Sequence, residues 1–163
     1  MTTATDISTY RFNHTMIRVK DPVASLQFYQ DVLGMKLINR VDFESGKFTL
    51  YFLAYVPEGD LPESEQARQA YTFSREAVLE LTHNWGTEHD ENLHYSNGNK
   101  EPGRGFGHLA ITVDNIEAAC ARFEGKGVTF VKRLQDGTMK NIAFIADPDG
   151  YWIEIIPNGF STV

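Results

Sequence analysis

Two stretches of the chain begin alike and run alike. FNHTMIRVKD starts at Phe12 and FGHLAITVDN at Phe106, and a repeat of this kind limits the fold to a structural unit used twice. In the first, Met16, Arg18 and Lys20 alternate with Ile17 and Val19, the period of a half-buried strand. Each opening strand ends in an aspartate able to cap a helix: Asp21 with Pro22 at the first helical position, and Asp114 with Glu117 three residues on. Leu26, Tyr29, Val32 and Leu33 then fall on one helical face before Gly34, and Ile116, Ala119, Cys120 and Phe123 do so before Gly125 and Gly127. Further strands are expected at residues 48–55 and 77–82 in the first unit, and at 128–132, 142–145 and 151–156 in the second. The shared order is strand, helix, strands.

The repeat carries chemistry as well as shape. His14 lies in the opening strand of unit one and His108 at the matching place in unit two. Near the end of each unit a glutamate sits among apolar residues, Glu80 in VLEL and Glu154 in WIEI. The His-to-Glu spacing is 66 positions in the first unit and 46 in the second. The difference equals the polar stretch at 56–75, which shows no strand pattern and reads as an insertion between strands. The expected modules are therefore residues 12–84 with that insertion, a solvated linker at 85–104, and 105–157.

Two imidazoles and two carboxylates in equivalent positions suit a divalent transition metal if the units converge on a point. A carboxylate among large apolar side chains is costly to bury without a cation or hydrogen bonds. A lone histidine in a strand is more often structural, and it is the repetition that points to a ligand set.

Composition narrows the classes. The sequence has 163 residues, 42% of them hydrophobic and 23% charged, as in an ordinary globular protein. Its formal charge of −7 offers no field for a phosphate backbone, so nucleic acid is not an expected partner. The longest apolar runs are strand-sized, which argues against a membrane span. The stretch MTTATDISTY lacks the pattern of a secretory signal, and the single cysteine, Cys120, fits a reducing compartment; a cytoplasmic location is expected. Cys120, on an apolar helix face, reads as a packing residue. His83 and Trp85 are expected to shape a site wall without catalysis, with His83 in a loop, and His89 and His94 to lie in the solvated stretch.

LELTHNWGTE at 79–88, RGFGH at 104–108 and DPDGYWIEI at 147–155 resemble glyoxalase I, the lactoylglutathione lyases of the vicinal oxygen chelate superfamily. The resemblance runs from about Phe12 to Pro157. It implies an α+β fold of two βαβββ modules paired into open, barrel-like sheets, and a homodimer with its active site at the subunit interface. It implies one divalent ion per site held by His14, Glu80, His108 and Glu154. The long insertion favours Zn²⁺, while histidine at the first ligand position keeps Ni²⁺ as the alternative. The implied reaction converts the hemithioacetal of methylglyoxal and glutathione to S-D-lactoylglutathione by proton transfer. Glu154 is the implied base, and Glu80 serves the other substrate hand. Arg18, Asn84, Arg104 and Lys132 match the glutathione-binding positions, since arginine grips carboxylates in a bidentate way and lysine as a point charge. Phe48, Leu50 and Met139 match the pocket for the substrate methyl. Thr138 to Lys140 lie in a covering loop, and Gly137 and Trp152 join the substrate contacts. Rival readings on the same fold are a dioxygenase or thiol transferase with three protein ligands, and a metal-free binding module, which has no use for the repeated His/Glu pair.

Overall fold

The structure is a computed structural model and describes residues 4–160, so the first three residues of the amino-terminal stretch lie outside it. The chain divides into two compact units. One comprises the residues up to Pro22 together with Tyr29–Asp90; the other comprises Val23–Phe28 together with the chain from Glu91 onward.

Strand β1 (His14–Arg18) leads into helix α1 (Pro22–Gln27), which begins at the proline, as the sequence suggests. The helix continues as a π-helical stretch over Phe28–Val32 and stops at Gly34, whose φ of 77° is a left-handed value that favours glycine. There follow β2 (Lys36–Phe43), β3 (Phe48–Ala54), helix α2 (Glu65–Phe73) and β4 (Val78–Asn84). The second half runs β5 (His108–Val113), α3 (Ile116–Gly125), β6 (Phe130–Lys132), β7 (Ala143–Ala146) and β8 (Trp152–Pro157). Apart from α2, both halves read βαβββ, and their sheets have matching strand orders, β1-β4-β3-β2 and β5-β8-β7-β6. In each, the opening strand lies parallel to the last, which is also paired antiparallel to the strand before it. These are two open, mixed four-stranded sheets.

Three local expectations need correction. Strand β2 has no counterpart among the strands read from the sequence. Lys36, Arg40 and Asp42 dilute its apolar signal, and a bulge between Leu37 and Asn39 breaks the two-residue period. The stretch at 56–75 contains a helix, α2, capped by Ser64, whose Oγ accepts from the Ala67 N–H at 3.2 Å. The cap of α3 is Asn115 rather than Asp114. The Asn115 side chain accepts from Ala118 N–H at 2.9 Å, while Asp114 accepts from the N–H of Asn115 itself.

Helix α2 accounts for the main difference between the two sheets. In the second unit, β5 alternates between exposed and half-buried residues, and Ile153 and Ile155 of β8 turn to the core. In the first, β4 is buried from Val78 to His83 on both faces. Leu61 and Tyr71 of the inserted segment pack against Ile38, Phe52, Ala54 and Val78, and Phe73 meets Phe52 edge-on at 5.6 Å. The insertion is a second layer over part of one sheet.

The polar stretch before β5 is tied down by its asparagines. Asn97 Nδ2 donates to the Gly150 carbonyl at 2.8 Å, and Asn99 Nδ2 to that of Gly107 at 2.6 Å. Between them Gly98 has φ 78° and comes so close to Phe106 that any Cβ would strike the Phe106 backbone.

Cys120 is buried on α3. Burial first, and Glu117 next, push its thiol above the ordinary range, which leaves little thiolate. Alkylation by iodoacetamide at pH 8 is therefore expected to be slow in the folded protein and fast in urea. Equal rates in the two states, followed by mass spectrometry, would contradict this placement.

Candidate active site

Side chains directly opposite one another on paired strands share a face. In the first sheet the register places Met16 beside Glu80, Arg18 beside Thr82, Leu50 opposite Thr82, and Phe48 opposite Asn84. His14, Arg18, Phe48, Leu50, Glu80 and Asn84 therefore occupy one face. Within it His14 Nε2 stands 3.3 Å from Glu80 Oε2, and the Thr82 hydroxyl donates to the other Glu80 oxygen at 3.1 Å. The Glu80 side chain is 11% exposed and that of His14 35%.

The second sheet repeats the arrangement. His108 pairs with Trp152, Ala110 and Phe144 flank Glu154, and Lys132 lies beside Phe144. His108 Nε2 is 3.2 Å from Glu154 Oε2, close to the separation in the first pair. The turn before β8 is fixed by Asp147, which accepts from the N–H groups of Asp149 and Tyr151 at 3.0 and 2.8 Å. That turn sets the start of the strand carrying Glu154.

A third duplicated residue accompanies each pair. Phe52 meets the His14 ring edge-on at 6.1 Å, and Phe144 meets that of His108 at 5.3 Å. The sequence signal is modest but legible, since Phe52 opens FLA and Phe144 opens FIA at equivalent strand positions. Each half thus presents a His/Glu/Phe trio. Among the described residues, no group of three or more His, Cys, Asp or Glu side chains is placed to hold a metal ion. Each sheet contributes a pair.

The substrate-contact candidates are less uniform. Arg18 and Arg104 are exposed, and Arg104 lies 3.9 Å from Glu101. Met139 is 57% exposed in the loop after β6, where Gly137 has φ 66°. The Lys132 ammonium donates to the carbonyls of Met139 at 2.6 Å, Ile142 at 2.8 Å and Arg133 at 3.2 Å, so it stitches that loop together.

His83 and Trp85 depart from their expected places. His83 belongs to β4, not a loop, and pairs with Thr49, on the face away from Glu80. Its Nε2 lies 2.6 Å from Glu88 Oε2, which also accepts from Gly86 N–H at 3.0 Å. Glu88's own backbone N–H and then the His83 ring hold its carboxyl below the usual range. The Trp85 indole donates to Thr49 Oγ1 at 2.9 Å, also on that face. The period-two alternation beginning at Glu80 already assigns His83 to the opposite side.

Residues 11–155 match the Glyoxalase/Bleomycin resistance protein/Dioxygenase superfamily. A lactoylglutathione lyase of Pseudomonas aeruginosa is 59% identical over 147 residues, covering 90% of this chain and 82% of that protein. The chain belongs to the glyoxalase I family. A second family member, the lactoylglutathione lyase of Schizosaccharomyces pombe, is 55% identical over 96% of this chain, which spans half the length of that relative. Among solved structures, the trypanothione-dependent glyoxalase I of Leishmania major superposes with a TM-score of 0.66 at 33% identity, covering 92% of this chain and 88% of that one. Glyoxalase I relatives are thus similar to this chain in sequence and in fold. Among the described residues no helix is long and apolar enough to cross a membrane.

Proposed function

We propose that this member of the glyoxalase I family is a lactoylglutathione lyase, isomerising the hemithioacetal of methylglyoxal and glutathione to S-D-lactoylglutathione. The observation that carries the reading is the duplicated pair, with Nε2 and Oε2 3.3 Å apart in one sheet and 3.2 Å in the other. Charge-assisted hydrogen bonds between such groups favour about 2.7–2.9 Å. Two ligands at about 2.1 Å from one ion, at angles between square and tetrahedral, stand about 3.0–3.4 Å apart. The nitrogen and oxygen donors fit a borderline divalent ion, Zn²⁺ by preference with Ni²⁺ as the alternative.

Each pair supplies two donors, and a full set takes two pairs. In this reading the enzyme is a homodimer in which His14 and Glu80 of one copy work with His108 and Glu154 of the other. A divalent cation held by these four side chains would supply Lewis acidity, making the C–H on the carbon next to the substrate carbonyl more acidic. Glu154 takes the proton from that carbon and returns it to the neighbouring one, and Glu80 does the same for the opposite hand. Arg18, Asn84 and Arg104 bind the carboxylates of the tripeptide. Lys132 adds its positive charge rather than a hydrogen bond, since its three hydrogens hold the carbonyls of Arg133, Met139 and Ile142 and keep the loop of Gly137 and Met139 over the substrate. Phe48, Leu50 and Met139 exclude water from the methyl group, and Trp152 adds a substrate contact. The same reading places the enzyme in the cytoplasm, where a lone buried thiol stays reduced.

Chelation followed by gel filtration is expected to abolish thioester formation, followed by ultraviolet absorbance on mixing with methylglyoxal and glutathione. Zn²⁺ or Ni²⁺ is expected to restore it. Absence of thioester after adding Zn²⁺, Ni²⁺ and Co²⁺ in turn would refute the lyase reading.

A further inference from the structure

The residue before each histidine differs between the repeats, Asn13 in one and Gly107 in the other. Asn13 makes an unusual set of bonds. Its Nδ2 donates to the carbonyls of Thr72 at 2.9 Å and Arg75 at 2.8 Å, and its own carbonyl accepts from Val78 N–H at 3.0 Å. Thr72 lies in the last turn of α2, where carbonyls have no partner within the helix. Two carbonyl oxygens can only accept, so the amide atom facing them is the NH₂ group. That settles the orientation of the amide, which is otherwise an open assignment.

With Nδ2 committed, Oδ1 faces the His14 ring, 2.7 Å from Nδ1. An amide oxygen cannot donate, so Nδ1 carries the hydrogen. In the neutral ring Nε2 then keeps its lone pair, and it is this atom that faces Glu80 Oε2 at 3.3 Å. Two acceptors so placed suit a shared metal ion. We propose that Asn13 is a positioning residue: capped onto the carboxyl end of the inserted helix, it fixes the His14 imidazole with hydrogen on Nδ1 and Nε2 presented to the metal.

Partners of this kind set the ring orientation of ligating histidines, and their loss costs about ten- to a hundredfold in metal affinity. The inserted helix thereby controls a ligand it does not itself contain. At the equivalent position in the second half, Gly107 brings no side chain to the His108 ring.

The consequence for metal rests on the proposed lyase site; the tautomer does not. In metal-free protein at alkaline pH, long-range ¹H–¹⁵N correlations of the imidazoles are expected to show His14 with hydrogen on Nδ1. Asn13→Ala should convert that signal to a tautomer mixture and weaken Zn²⁺ binding, measured by competition with a chelating dye, about ten- to a hundredfold. Asn13→Asp keeps an oxygen for Nδ1–H and is expected to keep the His14 signal, although its carboxylate faces two carbonyls and lowers the melting temperature. Arg75→Ala is the control for a general loss of stability, since it keeps the Arg75 carbonyl that accepts from Asn13. It removes the guanidinium bonds to Tyr71 Oη at 2.6 Å and the Tyr55 carbonyl at 3.0 Å without touching His14, so stability falls while Zn²⁺ affinity and the His14 tautomer hold. An unchanged His14 signal in Asn13→Ala, or an equal loss of affinity in Arg75→Ala, would overturn the proposal. Failure of the wild-type protein to bind Zn²⁺ would instead defeat the metal site, with the metal-free spectra still deciding the role of Asn13.

Discussion

Glu154→Gln is expected to lose about 10²–10⁴ in kcat, the range over which a positioned acid or base contributes, while retaining part of its metal affinity. The substitution keeps the length of the side chain and an oxygen donor but removes the capacity to accept a proton. The β8 register that places Glu154 beside Ala110 and Phe144 does not depend on the carboxylate, so the strand is expected to hold its shape. A fall in kcat with KM little changed marks an interaction made in the transition state rather than in binding. Glu80→Gln gives the internal comparison and is expected to spare turnover of the substrate hand that Glu154 handles. Full activity in Glu154→Gln, measured with saturating metal, would remove it from the role of base.

Phe52→Ala is expected to destabilise the fold by about 3–5 kcal/mol, the usual cost of emptying a buried phenylalanine site. Phe52 is 1% exposed and is enclosed by Ile38, Ala54, Val78 and the inserted segment, with Phe73 against its ring. Few neighbours can collapse into the space, since β3 and β4 are held in register on either side of Phe52 and Glu80. Phe144→Ala should cost less, because Phe144 is only half-buried on the more open sheet. Urea midpoints at one fixed protein concentration measure both, as stability of an associating chain depends on concentration. Equal shifts would mean that the insertion adds nothing to the packing around Phe52.

The duplicated unit, its strand–helix–strand order and the His/Glu pairs were legible because each appears twice, and a coincidence in one copy is unlikely to recur in the other. Features that occur in one copy only were harder to read. The bulge in β2 scrambles a period of two, and α2 hides its apolar residues in a polar stretch, although Ser64 marks its start. Asn13 looks like an ordinary strand-flanking residue, since its partners are the carbonyls of Thr72 and Arg75, and backbone groups have no letter in a sequence. Lys132 was readable as a cation but not as one whose hydrogens are already engaged. His83 falls just beyond the strand expected at 77–82, although alternation continued from Glu80 puts it on the far face of β4.

Helix α2 also sets how the two halves breathe. The central strand of the first sheet is shielded on both sides, whereas β8, in a single chain, has cover on one side only. Deuterium should therefore reach the amides of Ile153 and Ile155 before those of Leu79 and Leu81. The more pliable half is then the one bearing Glu154, the carboxylate proposed as base, while the half gripped by α2 holds the His14 imidazole in place.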